Sequence, residues 1–108
     1  MTNIDLPIGD TVTYKGTYPN IATMSDYTFV LCIDDAVDGD ASYTITGTDI
    51  DEDDNTVLFH ITHAISKELT ANKKYYVQAK VYDANKTLVK STPTKPAVLY
   101  AQPAVKEL

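Results

Sequence analysis

Lys73–Thr92, KKYYVQAKVYDANKTLVKST, is the stretch whose reading decides the fold. Tyr75, Val77, Ala79 and Val81 alternate with Tyr76, Gln78, Lys80 and Tyr82. A pleated strand repeats every two residues, so the first set forms an apolar face and the second an amphipathic one. Asp83-Ala84-Asn85-Lys86 then supplies turn chemistry, with Asp and Asn able to bond their own backbone and Asn tolerant of positive φ. Thr87-Leu88-Val89-Lys90 resumes in strand-forming residues, which predicts a β-hairpin with its apolar face on a core.

Working outward from the hairpin, Ala64, Ile65, Leu69 and Ala71 are spaced for one or two helical turns between Thr62 and Lys73. Before them, Thr56–Thr62 alternates as a strand, preceded by an acidic turn over Asp49–Asn55 and a short strand over Tyr43–Thr48. Tyr27–Ile33 is apolar at Val30 and Cys32 as well as at Phe29, Leu31 and Ile33, the mark of a central strand. The acidic loop Asp34–Asp40 after it holds Asp38-Gly39, a turn signal. Further back, Thr11–Tyr18 puts Val12, Tyr14 and Tyr18 on one face, with Gly16 a bulge or a point of close approach. Residues 1–10, with Pro7, Gly9 and Asp10, read as a turn-rich lead-in.

Downstream of the hairpin, Pro93 and Pro96 interrupt any ladder, so Ala97–Ala101 is predicted as a last strand at a sheet edge. Short strands about ten residues apart, with one brief helical turn, predict an all-β, immunoglobulin-like or Greek-key β-sandwich, with a small barrel as the alternative. A chain of 108 residues has enough apolar surface for one such core, so residues 1–108 are expected to form a single domain.

The net charge is -6, and all nine basic residues are Lys. A nucleic-acid partner needs a basic face, and guanine readout leans on Arg, so none is expected. A lone cysteine excludes an intrachain disulfide, and Cys32 within an apolar run is expected to be a buried small hydrophobe. No segment approaches the roughly 20 apolar residues of a membrane span, and MTNIDLPIGD lacks the pattern of a signal peptide, so a cytosolic chain with no membrane partner is expected.

Asp49, Asp51 and Asp53 sit at the first, third and fifth places of a calcium loop. Asp54 stands where such a loop needs Gly, however, and His60 where it needs Glu, so a solvated hairpin tip is expected, with no calcium dependence. A looser site would have to recruit Asp38 and Asp40. His60 and His63 are three apart but fall in a strand and in the following turn, and zinc needs three or four ligands. Neither a nucleophile elbow nor a phosphate-binding glycine loop is present, so no enzymatic activity, metal or cofactor is expected. Of the eight tyrosines, Tyr76 and Tyr82 share a face with Gln78 and Lys80 and are the candidates for a partner or glycan surface.

The order Ile8-Gly9-Asp10-Thr11, Val57-Leu58-Phe59-His60-Ile61, Leu69-Thr70 and Tyr75-Tyr76-Val77-Gln78-Ala79-Lys80-Val81-Tyr82-Asp83 resembles a group of small tailed-bacteriophage virion proteins. That group usually carries Pro-Gly before the tyrosine strand, where this chain has Asn72-Lys73-Lys74, and Pro93 and Pro96 are not part of its pattern. The resemblance implies a non-enzymatic structural component of a virion assembled in the host cytoplasm: a capsid decoration, neck or tail-baseplate accessory protein. Its partners would be other virion proteins in a multi-copy assembly. On that reading the apolar edge Ala97, Val98, Leu99 and Tyr100, together with Tyr76, Tyr82 and both termini, is expected to dock against neighbouring subunits. The competing expectation is a free-standing immunoglobulin-like adhesion or carbohydrate-binding module using the same tyrosines.

Overall fold

The computed structural model describes residues 3–35 and 43–104, with the side chains of all of these except residues 3 and 94–96. Their strands are β1 (Asn3–Pro7), β2 (Val12–Thr17), β3 (Thr28–Asp34), β4 (Tyr43–Thr46), β5 (Thr48–Asp51), β6 (Thr56–Ile61), β7 (Lys74–Tyr82) and β8 (Leu88–Gln102). They form a five-stranded sheet in the order β1-β8-β7-β3-β4 and a three-stranded sheet in the order β2-β6-β5. The two sheets pack face to face as a sandwich. Phe29, Leu31, Ile33, Tyr75, Val77, Val81 and Leu99 from the larger sheet meet Val57, Phe59 and Ile61 from the smaller, and all of them are buried.

The hairpin forms as its alternation requires. Tyr75, Val77, Ala79 and Val81 are buried and Tyr76, Gln78, Lys80 and Tyr82 are half-buried on the other face. The turn differs in one residue, because the positive φ falls on Lys86 (62°) and not on Asn85. Asp83 imposes this: its Oδ1 accepts from the backbone N–H of Asn85 and of Thr87, both at 2.9 Å, so the chain bends around the carboxylate.

Beyond the turn the structure departs from the sequence reading. Pro93 and Pro96 do not separate two strands; β8 runs through them and bulges. Thr92 pairs with Ala79 and Ala97 with Val77, so residues 93–96 all lie opposite Gln78 alone. Gln78 pins the bulge by donating from Nε2 to the Pro93 carbonyl at 2.9 Å.

The lead-in is also a strand. β1 pairs in parallel with the end of β8, Ile4 beside Leu99 and Leu6 beside Ala101. Ala97–Ala101 therefore lies between β1 and β7, and the expected apolar edge is an interior strand. Two polar contacts fix the turn after β1. Buried Ser66, in the short α-helical turn His63–Ser66, accepts from Gly9 N–H at 2.9 Å and donates to the Pro7 carbonyl at 3.4 Å; a second helical turn, of 3-10 type, spans Met24–Asp26.

In the smaller sheet, the acidic turn begins as a strand. Chain crossing between sheets occurs at Gly47, whose N–H bonds the Phe29 carbonyl at 2.7 Å, and β5 then pairs with β6 through a bulge at Asp49, φ 53°. Asn55, φ 56°, closes the turn and donates from Nδ2 to the carbonyls of Tyr18 and Ile21 at 2.9 and 2.6 Å. Gly16 is a point of close approach and not a bulge, because the β2–β6 register is unbroken and a Cβ there would stand 2.8 Å from the Tyr18 ring. The Asp38-Gly39 turn and the two chain ends, residues 1–2 and 105–108, lie outside the described residues.

The crossing at Gly47 yields a direct test of the packing. A Cβ there would stand 2.6 Å from Val57 Cγ2 and 3.1 Å from Phe59 Cε1, both fully buried side chains with little room to retreat. Gly47→Ala is expected to cost about 1–3 kcal/mol of stability. Adding Val57→Ala removes the clashing methyl, so the double variant should lose less than the sum of the two single losses in urea unfolding.

Candidate functional site

The outer face of the larger sheet is where the hairpin's second set of side chains emerges. Tyr76 stands opposite Val98, which is buried, and Lys74 opposite Tyr100. The Lys74 ammonium lies 5.3 Å from the centroid of the Tyr76 ring, and the Tyr76 phenol holds its pKa above the ordinary lysine value. At the middle of the face Lys80 donates from Nζ to Gln78 Oε1 at 3.1 Å and to Ser91 Oγ at 3.2 Å. Tyr82 and Leu88 pair at the far end, where Leu88 and Val89 are among the few large exposed apolar side chains.

Of the six residues the sequence assigns to an interface, this face unites three: Tyr76, Tyr82 and Tyr100. Ala97, Val98 and Leu99 are buried by the protein's own strands, Leu99 fully, and so are unavailable for strand addition. The cause is β1, which covers the edge that the sequence left bare.

Cys32 lies on the same outer face, cross-strand from Gln78, and is half-buried, not buried as expected. Desolvation raises its thiol pKa, and the Lys80 charge partly offsets this. Asp34 and Asp35 are its neighbours in sequence, but the sheet brings a cation from β7. Alkylation of Cys32 at pH 8 is expected to run several-fold slower than that of an unstructured cysteine, and slower again in Lys80→Met, because the thiolate is the reacting form. Mass-spectrometric labelling rates check both.

The acidic run uses its carboxylates locally. Asp51 Oδ1 accepts from the backbone N–H groups of Asp53 and Asp54 at 3.0 and 3.2 Å. Asp49 Oδ2 accepts from His60 Nε2 at 3.1 Å, and in that tautomer His60 Nδ1 accepts from the Thr13 hydroxyl at 2.9 Å. This ties β2, β6 and β5 together on the exposed face of the smaller sheet, and His60 holds the Asp49 pKa below the ordinary carboxylate value. Among the described residues no three His, Cys, Asp or Glu side chains are grouped to hold a metal ion. Asp38 and Asp40 lie outside them. His63 lies exposed in the helical turn.

A concavity opens on the side of the sandwich between β2 and the β8 bulge. It is a cleft of about 370 Å³ with mostly apolar walls: Tyr14 on β2, Phe59 on β6, Leu31 on β3, Val77 and Ala79 on β7, and Ile4 on β1. Tyr18 and Thr92 hydroxyls join across it at 2.9 Å. Burial raises the Tyr18 pKa, with the Thr92 bond opposing. Sequence periodicity placed Tyr14, Leu31, Val77 and Ala79 on inward faces, but not Ile4, and could not place the gap, which exists because four residues of β8 bulge opposite one of β7. No family model matches the chain, and no curated protein matches it either.

Proposed function

We propose that this protein is a non-enzymatic structural component that acts by protein-protein contact in a multi-copy assembly, and that the assembly is a bacteriophage virion, as a capsid decoration, neck or tail-baseplate accessory protein. The virion setting rests on the sequence resemblance. The observation that carries the contact role is the outer face of the five-stranded sheet, where Tyr76, Tyr82 and Tyr100 surround a hydrogen-bonded Gln78–Lys80–Ser91 centre. Tyrosine on rigid strands brings apolar area at low entropy cost and keeps a hydroxyl for a wet rim, which suits an interface.

The two-sheet sandwich is compatible with the same reading, in which we take it to be immunoglobulin-like. On that reading β2, β6 and β5 are one sheet of the sandwich and β1, β8, β7, β3 and β4 the other. Tyr75, at the start of β7, accepts from the Thr70 N–H at 2.8 Å through its phenol oxygen, a tie of the tyrosine-corner kind. A glycan-binding module is disfavoured because Lys74 overlies the Tyr76 ring, the face on which a sugar would stack.

Mass spectrometry of virions purified from the source that encodes this chain tests the proposal. The chain should be present in many copies per particle, and Tyr82→Lys with Tyr100→Lys should fold normally yet be incorporated poorly. Absence from the particles would overturn the virion setting, and full incorporation of the double variant would overturn the assigned face.

A further inference from the structure

We propose that the outer edge of β2 and the cleft beside it form a strand-acceptor groove, which takes an extended, partly acidic segment of another polypeptide with apolar residues at alternate positions. The inference rests on the reading of this protein as a contact module and names one of its contacts. Two independent observations coincide. β2 pairs with β6 on one side only, and among the described residues no strand pairs with its other side. The 370 Å³ cleft runs along that same free side from Tyr14 to Tyr18.

An unpaired strand edge offers a row of N–H and C=O groups that another backbone can satisfy. An apolar cleft offers desolvation to side chains. Only an extended chain with a period of two uses both, its backbone bonding β2 while every second side chain enters the cleft. Gly16 keeps the edge flat at its middle, since it has no side chain and the inward space there is already filled by the Tyr18 ring.

Charge selects the donor. Lys15 is the one charged residue among the described residues lining the cleft, and it is exposed at its lip, so the local charge there is positive although the protein as a whole carries -6. In a centred antiparallel pairing of β2 with β2 of a second copy, the two Lys15 ammonium groups would stand directly opposite or diagonal to each other, which is destabilising. A different segment with a carboxylate facing Lys15 is complementary.

The test uses the full chain and a synthetic peptide, acetyl-Glu-Val-Thr-Val-Asp-Val-Thr-Val-Glu-amide, N-methylated at alternate residues so that it cannot stack on itself. Titration followed by NMR should show saturable binding, with slowed exchange of alternate β2 amides and shifts at Tyr14, Tyr18 and Ala79. Lys15→Glu, an exposed change that leaves the core intact, should weaken binding by about threefold or more. Ala79→Leu, which fills the cleft, should abolish it while the thermal melt remains cooperative. No saturable binding up to millimolar peptide, or protection on the edges of β1, β4 or β5 in place of β2, overturns the inference. So does binding of toluene in the cleft without binding of the peptide, which would make it a small-ligand site. The virion reading survives each of these failures, because it is decided by the presence of the chain in particles.

Discussion

Phe59→Ala is expected to lower the unfolding free energy by about 3–5 kcal/mol. Phe59 sits on β6, the middle strand of the smaller sheet, and is 2% exposed. Its ring reaches the crossing at Gly47 and also forms a wall of the cleft, so it spans the gap between the sheets. Removing it loses the transfer energy of the ring and enlarges a space that the strands cannot close, because β6 is held by ladders on both sides. Since small domains have about 5–15 kcal/mol of stability in all, the variant should approach the unfolding threshold at 37 °C. Phe59→Leu keeps most of the volume and should retain a cooperative urea transition at a modestly lower midpoint. If both variants melt like the parent protein, the two sheets do not share the core described.

Leu99→Ala is expected to cost about 2–5 kcal/mol, whereas Tyr100→Ala, one residue on, should cost little. The contrast separates the two readings of Ala97–Ala101. At a sheet edge both positions would be half-open and the two losses similar. With β1 and β7 on either side, Leu99 is fully buried between Ile4 and Tyr75 in the ladder, while Tyr100 remains 38% exposed on the outer face. Paired urea titrations of the two variants decide it, and equal midpoints would return this segment to the edge and reopen it as a docking strand.

Much of the fold was legible in the sequence because it rests on local alternation. The inward set of β7, the faces of β2 and the strand over Thr56–Ile61 follow from a period of two, the central position of β3 follows from apolar residues on both of its faces, and each is seen. The helical turn after Thr62 follows from a change of spacing. Of the candidate surface, the amphipathic pair Tyr76 and Tyr82 was legible for the same reason. β1 itself left a trace, Ile4, Leu6 and Ile8 at alternate positions, which the turn formers Pro7 and Gly9 outweighed.

Period-two patterning determined which side chains of each strand turn inward, because a strand's own geometry dictates that choice and needs no partner. Who lies beside whom was decided only in three dimensions. The pairing of β1 with β8 joins residues more than ninety positions apart, a contact that closes a very long loop and is held by burial of Leu6, Leu99 and Ala101, which no window of sequence contains. The same holds for the bulge opposite Gln78, the cleft it opens beside β2, and the Lys80 charge beside Cys32: each arises where separate stretches meet.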